Sequence, residues 1–400
     1  MKFKTGCLSF LSSGAVSLVF CGVCFGGPIF DIKPKISFDW RTDSNYWKSE
    51  SDEREVFTYL IRPGVDFSMK TAKSEVVLNY TLDAYLYDDR DPVPPGQQST
   101  EDDDFIGQTG EFKGKYQLFD RLLLVLEDSL LLSRDPAMTD ALSNETDRNK
   151  YLINQVTPGV FYEFLPRFTL GVRYRNRIEN YLTGNPEIYP DSTENRGMLD
   201  LVYSFSRTAS LDLDYQHWKK DYDGSSTSNY TSDQIKLVFR KQSRYYAFEA
   251  GFGYQGRSFD DPALKDISTP TYRLGITMKY PSSEAPRSYL SAFAESNFND
   301  QGLDNTYYRA YRFTLKAGHT FLEKILTDLG GYYQISDYEF EDRKDNLYDI
   351  SGSIGYRFLD WLIFSVAGGY ENRTSNQPIQ QYNNTYFIAQ LQFAYSLGSK

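Results

Sequence analysis

From about residue 30 onward, hydrophobic and polar positions alternate with period two in runs of ten to sixteen residues. In "EVVLNYTLDAYLYD" (75–88), Val76, Leu78, Tyr80, Leu82, Ala84 and Leu86 fall on one face, and Glu75, Asn79, Thr81 and Asp83 on the other. "TYRLGITMKY" (271–280) sets Tyr272, Leu274, Ile276, Met278 and Tyr280 against Arg273, Thr277 and Lys279. "RYYAFEAGFGY" (244–254) sets Tyr246, Phe248, Ala250, Phe252 and Tyr254 against Glu249. Period-two alternation is the pattern of a strand with two unlike faces. "RFTLGVRYRNRIENYL" (167–182) poses the sharpest case, because Arg173, Arg175 and Arg177 share a face with Thr169 and Glu179 while Phe168, Leu170, Val172 and Tyr174 take the other. One run resists assignment: "RLLLVLEDSLLLS" (121–133) is apolar on both faces and is interrupted by Glu127 and Asp128.

The connections between these runs alternate between short and long. Short corners fall within 68–76, 118–125, 164–170, 205–213, 239–248, 280–290, 321–329 and 358–366. Long, polar connections fall at 43–53, 88–104, 135–148, 183–194, 222–230, 260–269, 299–305, 340–346 and 373–383. Eight short and nine long connections imply eighteen strands, with sixteen as the neighbouring even count. An even number of long antiparallel strands joined by short turns at one end and long loops at the other is the pattern of a transmembrane β-barrel. A propeller repeats at a similar length but needs four short strands per blade. The predicted fold is therefore all-β, a transmembrane antiparallel barrel with short periplasmic turns and long extracellular loops. The apolar faces then meet lipid and the arginines face a lumen. Tyr and Phe at the ends of the apolar faces suit the aromatic girdles of such barrels.

Composition agrees. The chain has 33 Tyr and 28 Phe, and its mean hydropathy is negative, which excludes a bundle of membrane helices. The single long apolar run is N-terminal: Lys2 and Lys4 precede an apolar stretch that ends in Gly26, Gly27 and Pro28. This is read as a cleaved signal peptide over 1–26, with the barrel over 27–400. All three cysteines, Cys7, Cys21 and Cys24, lie at or before residue 24. The mature chain would thus carry no disulfide, zinc-thiolate site or thiol nucleophile, as suits a bacterial envelope protein that crosses an oxidising periplasm. A net charge of -11 argues against nucleic acid as a partner. Its acidity concentrates in connections such as "YDDRDPVPPGQQSTEDDDF" and "DPAMTDALSNETD", which read as solvated loops.

Candidate chemistry is sparse. There are two histidines, His217 and His319, and no Ser-His-Asp arrangement is legible around either, so no catalytic residue is expected. "DYDGSSTSN" (221–229) and "EDDD" (101–104) lack a complete calcium-loop spacing; no metal and no cofactor is expected. The inward charges carry more. The parity of each strand places Lys113, Lys115, Arg173, Arg175, Arg177, Lys236, Arg240, Arg273, Lys279, Arg312 and Lys316 on the lumenal face, together with Asp83, Asp212, Asp214, Glu249 and Asp328. Two readings stand side by side. The charges pair across strands and fill a wet interior, or a basic wall selects anionic solutes. An eighteen-strand barrel is wide enough for an aqueous channel unless loops fold into it.

The stretch "ISFDWRTDSNYWKSESDEREVFTYLIRPGVDFSM" (36–69) resembles the opening of the beta-barrel porin type 2 family, whose Asp-Ser-Asn-like loop corresponds to Asp43, Ser44 and Asn45 and whose Pro-Gly pair corresponds to Pro63 and Gly64. The resemblance implies a bacterial outer-membrane protein, often encoded beside exopolysaccharide genes. Its partners would be outer-membrane lipid and lipopolysaccharide, with polysaccharide or small anionic solutes in the lumen and an envelope complex or oligomer around it. The chain departs from a common barrel ending in an aromatic residue: it closes "FAYSLGSK", with Phe393 and Tyr395 just upstream, so a slightly extended last strand is expected. The function expected is a non-enzymatic porin-like channel with a charged lumen. The alternatives are a non-conducting barrel acting as sheath or docking partner for a cytochrome or a polysaccharide-export complex, and an outer-membrane enzyme that would need His217 or His319.

Overall fold

In the computed structural model, residues 28–51, 53–95, 99–139, 142–144, 146–224, 229–281, 287–299 and 307–397 are described. The expected leader, 1–26, lies outside them. The chain forms eighteen strands: β1 (Ile29–Asp43), β2 (Val56–Lys70), β3 (Ser74–Asp89), β4 (Phe105–Phe119), β5 (Leu122–Ser133), β6 (Tyr151–Leu165), β7 (Phe168–Tyr181), β8 (Ser192–Ser206) and β9 (Ala209–Tyr222) make the first half. β10 (Tyr230–Gln242), β11 (Tyr246–Phe259), β12 (Ile267–Tyr280), β13 (Ser288–Phe298), β14 (Tyr308–Phe321), β15 (Ile325–Tyr338), β16 (Lys344–Leu359), β17 (Leu362–Ser375) and β18 (Tyr382–Ala394) make the second. Each strand pairs antiparallel with its sequence neighbours, and β1 also pairs with β18, so the sheet closes with no free edge. Closure removes the edge strands, whose backbone groups a bilayer would leave unpaired.

The register settles which face is which. Directly opposed residues share a face, and the pairs run continuously round the barrel: Gln155↔Arg177, Arg177↔Glu194, Glu194↔Lys220 and Lys220↔Tyr230 lie on the inner side. Outside lie the apolar residues, among them Val172, Phe252, Leu329 and Ile350, each more than half exposed. The same register resolves β5. Leu122, Leu124, Leu126, Leu130 and Leu132 face outward, whereas Leu123, Val125 and Leu131 face inward with Glu127. Asp128 is then left on the outer face, where Asn154 on β6 donates to it at 3.0 Å.

Two belts of aromatic residues bound the apolar band. On the loop side, Tyr174, Tyr215, Tyr254 and Tyr333 donate their hydroxyls to Asn195, Asp233, Ser268 and Asn346 on the next strands. On the turn side stand Tyr162, Phe205, Tyr246, Tyr280, Phe321 and Phe358. Tyr246 and Tyr254 on β11 mark the two belts along one strand, on the order of 25 Å apart at the rise of a β-strand.

Eight connections fall at the turn end, seven of them two or three residues long, and nine at the loop end, as the alternation of connections predicts; the eighth, 281–287, is as long as the shorter loops. Strands extend further than expected at several loop ends; β17 runs to Ser375 and leaves only 376–381 before β18. The last strand ends at Ala394, but Tyr395 and Leu397 still donate backbone hydrogen bonds to Pro34 and Ile32. Two Pro-Gly steps sit mid-strand at equivalent places. The β2–β3 ladder skips from Ile61↔Ala84 to Gly64↔Thr81, and the β6–β7 ladder skips from Val156↔Asn176 to Gly159↔Arg173. Proline has no N–H to give the ladder. At Gly64 a Cβ would lie 2.6 Å from the Tyr80 carbonyl oxygen, so only glycine fits beside the unpaired step. Asp43, Ser44 and Asn45 lie at the closing seam. The Asn384 side chain donates to Asp43 at 3.0 Å and accepts from the Asn45 backbone N–H at 3.0 Å.

Candidate functional site

The three arginines of β7 form a column on the inner wall, spaced by the two-residue repeat, and two of them, Arg173 and Arg175, are joined to acids on β8. Arg173 makes a bidentate pair with Asp200, 2.9 Å through both Nε and Nη2, and lies 3.8 Å from Asp214. Paired parallel N–H···O bonds of this kind fix the guanidinium plane as well as its position. Arg175 pairs with Glu194, which Arg196 also holds in a fork at 3.0 Å. The Arg196 guanidinium in turn sits 3.9 Å over the Trp218 ring. Arg177 donates to the Thr139 carbonyl at 2.6 Å and lies 3.4 Å from Glu179. Gly159, opposite Arg173, leaves the room that its side chain needs: a Cβ there would come within 2.7 Å of Arg173 Cγ.

The other candidate residues take inward register positions as well. Lys113 and Lys115 lie 3.6 Å from Glu111 and 3.8 Å from Glu75. Arg240 bridges Asp212 and Glu249, and Arg273 reaches Glu249 at 3.1 Å. Lys236 faces Asp214 directly across the ladder, and Gln216 donates to Asp214 at 2.9 Å. Arg312 donates to Gln334 at 2.7 Å and lies 4.4 Å over the Tyr332 ring. Lys279 and Lys316 make no ion pair with the described residues. The candidates therefore do not converge on one point. They are distributed as a lining, with the Arg240–Glu249–Arg273 group toward the short turns and the β7 column nearer the loops.

Several of these pairs are lopsided in exposure. Arg240 is 50% exposed and its partner Asp212 7%. Arg41 and Asp43 stand at 37% and 2%, and Arg62 and Asp83 at 36% and 9%. Arg173 with Asp200, Arg175 with Glu194 and Arg273 with Glu249 repeat the order; Lys35 with Asp66 reverses it. A short carboxylate stays close to the wall, whereas the longer guanidinium stem carries its charge out toward water. In these arginine pairs the side chain more open to water is the cation's.

The connection 134–150 departs from the sequence reading. It is not a solvated acidic loop. Its described residues fold across the inside of the barrel and are held on several sides. Thr139 accepts from Arg177 on β7. The Leu142 carbonyl accepts from the Tyr308 hydroxyl at 2.6 Å and from Gln334 at 3.1 Å, on β14 and β15. The Asn144 carbonyl accepts from Arg373 on β17 at 2.6 Å. Arg148 donates to the Tyr46 carbonyl at 3.0 Å and lies 3.9 Å over its ring. Burial pushes the Tyr46 phenol above its ordinary pKa, with the Arg148 charge opposing the rise. Leu142 packs with Tyr308, Ala310 and Tyr338. A few apolar residues amid polar ones, Met138 and Leu142 the largest, were the available sign. The connection's backbone needs partners inside the barrel, and Arg177, Gln334 and Arg373 supply them.

A second intrusion narrows the loop side of the interior. Trp218, Tyr222, Tyr230, Ile267, Phe298 and Tyr307 form a buried cluster. Arg257 enters it, with its guanidinium 4.0 Å over Tyr230 and its Nη1 donating to the Asn299 carbonyl at 3.0 Å. Burial, with the neighbouring Tyr222 adding to it, raises the Tyr307 phenol well above its ordinary pKa.

Both histidines lie on the outer face. His217 Nδ1 is 2.8 Å from Asp233, and His319 Nδ1 is 2.7 Å from the Ser288 hydroxyl. They are on different strand pairs, so these contacts do not join into one triad. No group of three or more His, Cys, Asp or Glu able to hold a metal occurs among the described residues, which exclude 225–228 of the glycine- and serine-rich loop. In the other acidic loop, Asp103 pairs with Arg134 at 2.6 Å and Asp104 accepts from the Tyr87 N–H at 2.9 Å.

A closed, even-stranded barrel with an apolar outer band, aromatic belts and a charged interior crossed by one loop defines an outer-membrane barrel of porin architecture. Residues 241–395, which hold β11 to β18, match the family described as "Putative beta-barrel porin 2". That match lies apart from the 36–69 stretch on which the sequence resemblance rests. No curated protein matches the chain. Among solved structures, it is similar to OccAB4 of Acinetobacter baumannii, with 9% identity, 92% of this chain and 98% of that one covered, and a TM-score of 0.50. It is also similar to Pseudomonas aeruginosa OccK2 (OpdF) in complex with glucuronate, at 10% identity, 92% and 98% coverage and a TM-score of 0.49. At these identities the likeness is one of fold.

Proposed function

We propose that this protein is an outer-membrane channel through which small anionic solutes diffuse along a basic lumenal wall. The observation that carries the reading is the lopsided exposure of the wall pairs, in which Arg41, Arg62, Arg173, Arg175, Arg240 and Arg273 stand further into the lumen than the acids that hold them. Exposed cationic heads lower the barrier for anions, and the buried acids fix their positions without presenting equal negative charge to a passing solute. The candidate path runs past Lys279, Arg273, Arg240, Lys236, Asp212 and Asp214, the β7 column, and Lys113, Lys115, Arg312 and Lys316. Export through a leader cleaved after residue 26 belongs to this reading; intact-mass measurement of the purified protein would place the mature N-terminus near residue 27. The test of function is purified protein in a planar bilayer under a salt gradient, with an anion-selective current expected.

One observation favours a second reading. The connection 134–150 is anchored on β7, β14, β15 and β17, so it could close the lumen and leave a structural barrel that sheathes or docks an envelope partner, including an exopolysaccharide-export complex. Absence of conductance together with copurification of a partner selects that reading.

A further inference from the structure

The geometry points to a capture site for a hydroxylated carboxylate, of the size of a sugar acid, at the loop-side mouth of the barrel. This inference rests on the anion-channel reading but concerns a different place from the wall column. A cavity of about 350 Å³ opens between the 44–55 loop, the crossing connection and the 339–343 and 376–381 loops. That volume lies at the small-ligand end of the range for binding pockets.

Arg373 makes the cavity an anion site. It is 3% exposed, and its partners are neutral: the Gln380 carbonyl at 2.6 Å, the Asn144 carbonyl at 2.6 Å, the Gln380 side-chain oxygen at 3.4 Å and the Tyr382 ring at 4.7 Å. No carboxylate among the described residues pairs with it. Those three hydrogen bonds leave two of the five guanidinium N–H groups over. A buried cation held only by neutral acceptors is costly and favours an anion brought from outside. The other two cations on the cavity wall are compensated from behind, Lys48 by Glu371 at 2.9 Å and Arg343 by Asp345 at 2.6 Å.

The rest of the lining suits a polyhydroxylated body on that carboxylate. Ser49, Thr146, Asn299 and Tyr338 supply hydroxyl and amide groups. Trp47 supplies an aromatic face, and its indole N–H is buried with no hydrogen-bond partner. Lys48 next to it is held in the left-handed region at φ 51°, a conformation that a non-glycine residue adopts at a cost and that clusters at binding sites. Among the described residues one carboxylate, Asp147, lines the cavity with three cations, and the Tyr189 hydroxyl donates to it.

The test is titration calorimetry of the detergent-solubilised full chain with glucuronate, its neutral methyl ester, and glucose. Glucuronate is expected to bind at least tenfold tighter than the ester or glucose, and Arg373→Gln to remove that advantage while the barrel still migrates as a folded species. Equal binding of glucuronate and its ester, no binding of glucuronate, or unchanged glucuronate affinity in Arg373→Gln would overturn the site. The ester comparison uses unaltered protein, so a variant that fails to assemble leaves the test standing. Separation from the channel reading comes from the salt-gradient current: a conducting, anion-selective barrel that binds no glucuronate refutes this site alone.

Discussion

At the scale of single residues, the lumen is built from pairs in which the long cation projects and the short acid is fixed behind it. Period two was enough to place Arg240, Arg273 and the β7 arginines on one side of their strands, because side-chain direction alternates whatever the fold. Which acid meets which base was not legible, since Arg173 and Asp200 become neighbours only through the β7–β8 register. The exposure order could not be seen at all without the wall's curvature and depth. Neutralising Arg240 and Arg273 together, as Arg240→Gln and Arg273→Gln, should lower the anion-to-cation permeability ratio several-fold in a salt gradient with heat-modifiable migration retained. An unchanged ratio would mean that this part of the wall lies off the solute path. Replacing Arg173, Arg175 and Arg177 with glutamate should carry selectivity further, toward cations. Failure of that protein to insert, while the glutamine variants insert, would trace to Asp200 losing Arg173 and to Glu194 being left with Arg196 alone, rather than to the lumen's charge.

At the scale of elements, β5 and the crossing connection are where sequence reasoning stopped. β5 has apolar residues on both faces, so its period carries no information, and only pairing to β4 and β6 fixes its sides. That pairing sets Asp128 against the apolar band with Asn154 as its hydrogen-bond partner. Ionisable side chains on the lipid face of a barrel are destabilising. Asp128→Leu should therefore stabilise the barrel by about 1 kcal/mol, read as a higher thermal transition in lipid vesicles. A lower transition would show that the pair has a partner in the membrane. The connection 134–150 was unreadable for a different reason: its polar residues satisfy one another and the wall rather than water, and its few apolar ones are too sparse for a pattern. Arg177→Gln combined with Arg148→Ala removes its bonds at Thr139 and Tyr46. Single-channel conductance should then rise or become noisier; steady conductance equal to that of the unaltered protein would show that the connection does not set the narrowest point.

For the whole molecule, strand number and the alternation of connections were legible, because closure allows only one face per parity and one kind of connection per end. The seam was not, as it joins residues at the two ends of the chain. Asn384 there bonds Asp43 and the Asn45 backbone, which gives the Asp-Ser-Asn stretch a structural task at the point of closure. Asn384→Ala strands those partners in a buried setting and should cost about 1–3 kcal/mol, visible as a lower unfolding midpoint in urea with the same final fold. The barrel so closed presents its cations to water, and the reversal potential of the purified protein in a planar bilayer under a potassium chloride gradient tests that claim most directly. The account predicts a reversal potential of the sign set by chloride. A potassium-selective current, or no channel at all, would contradict it.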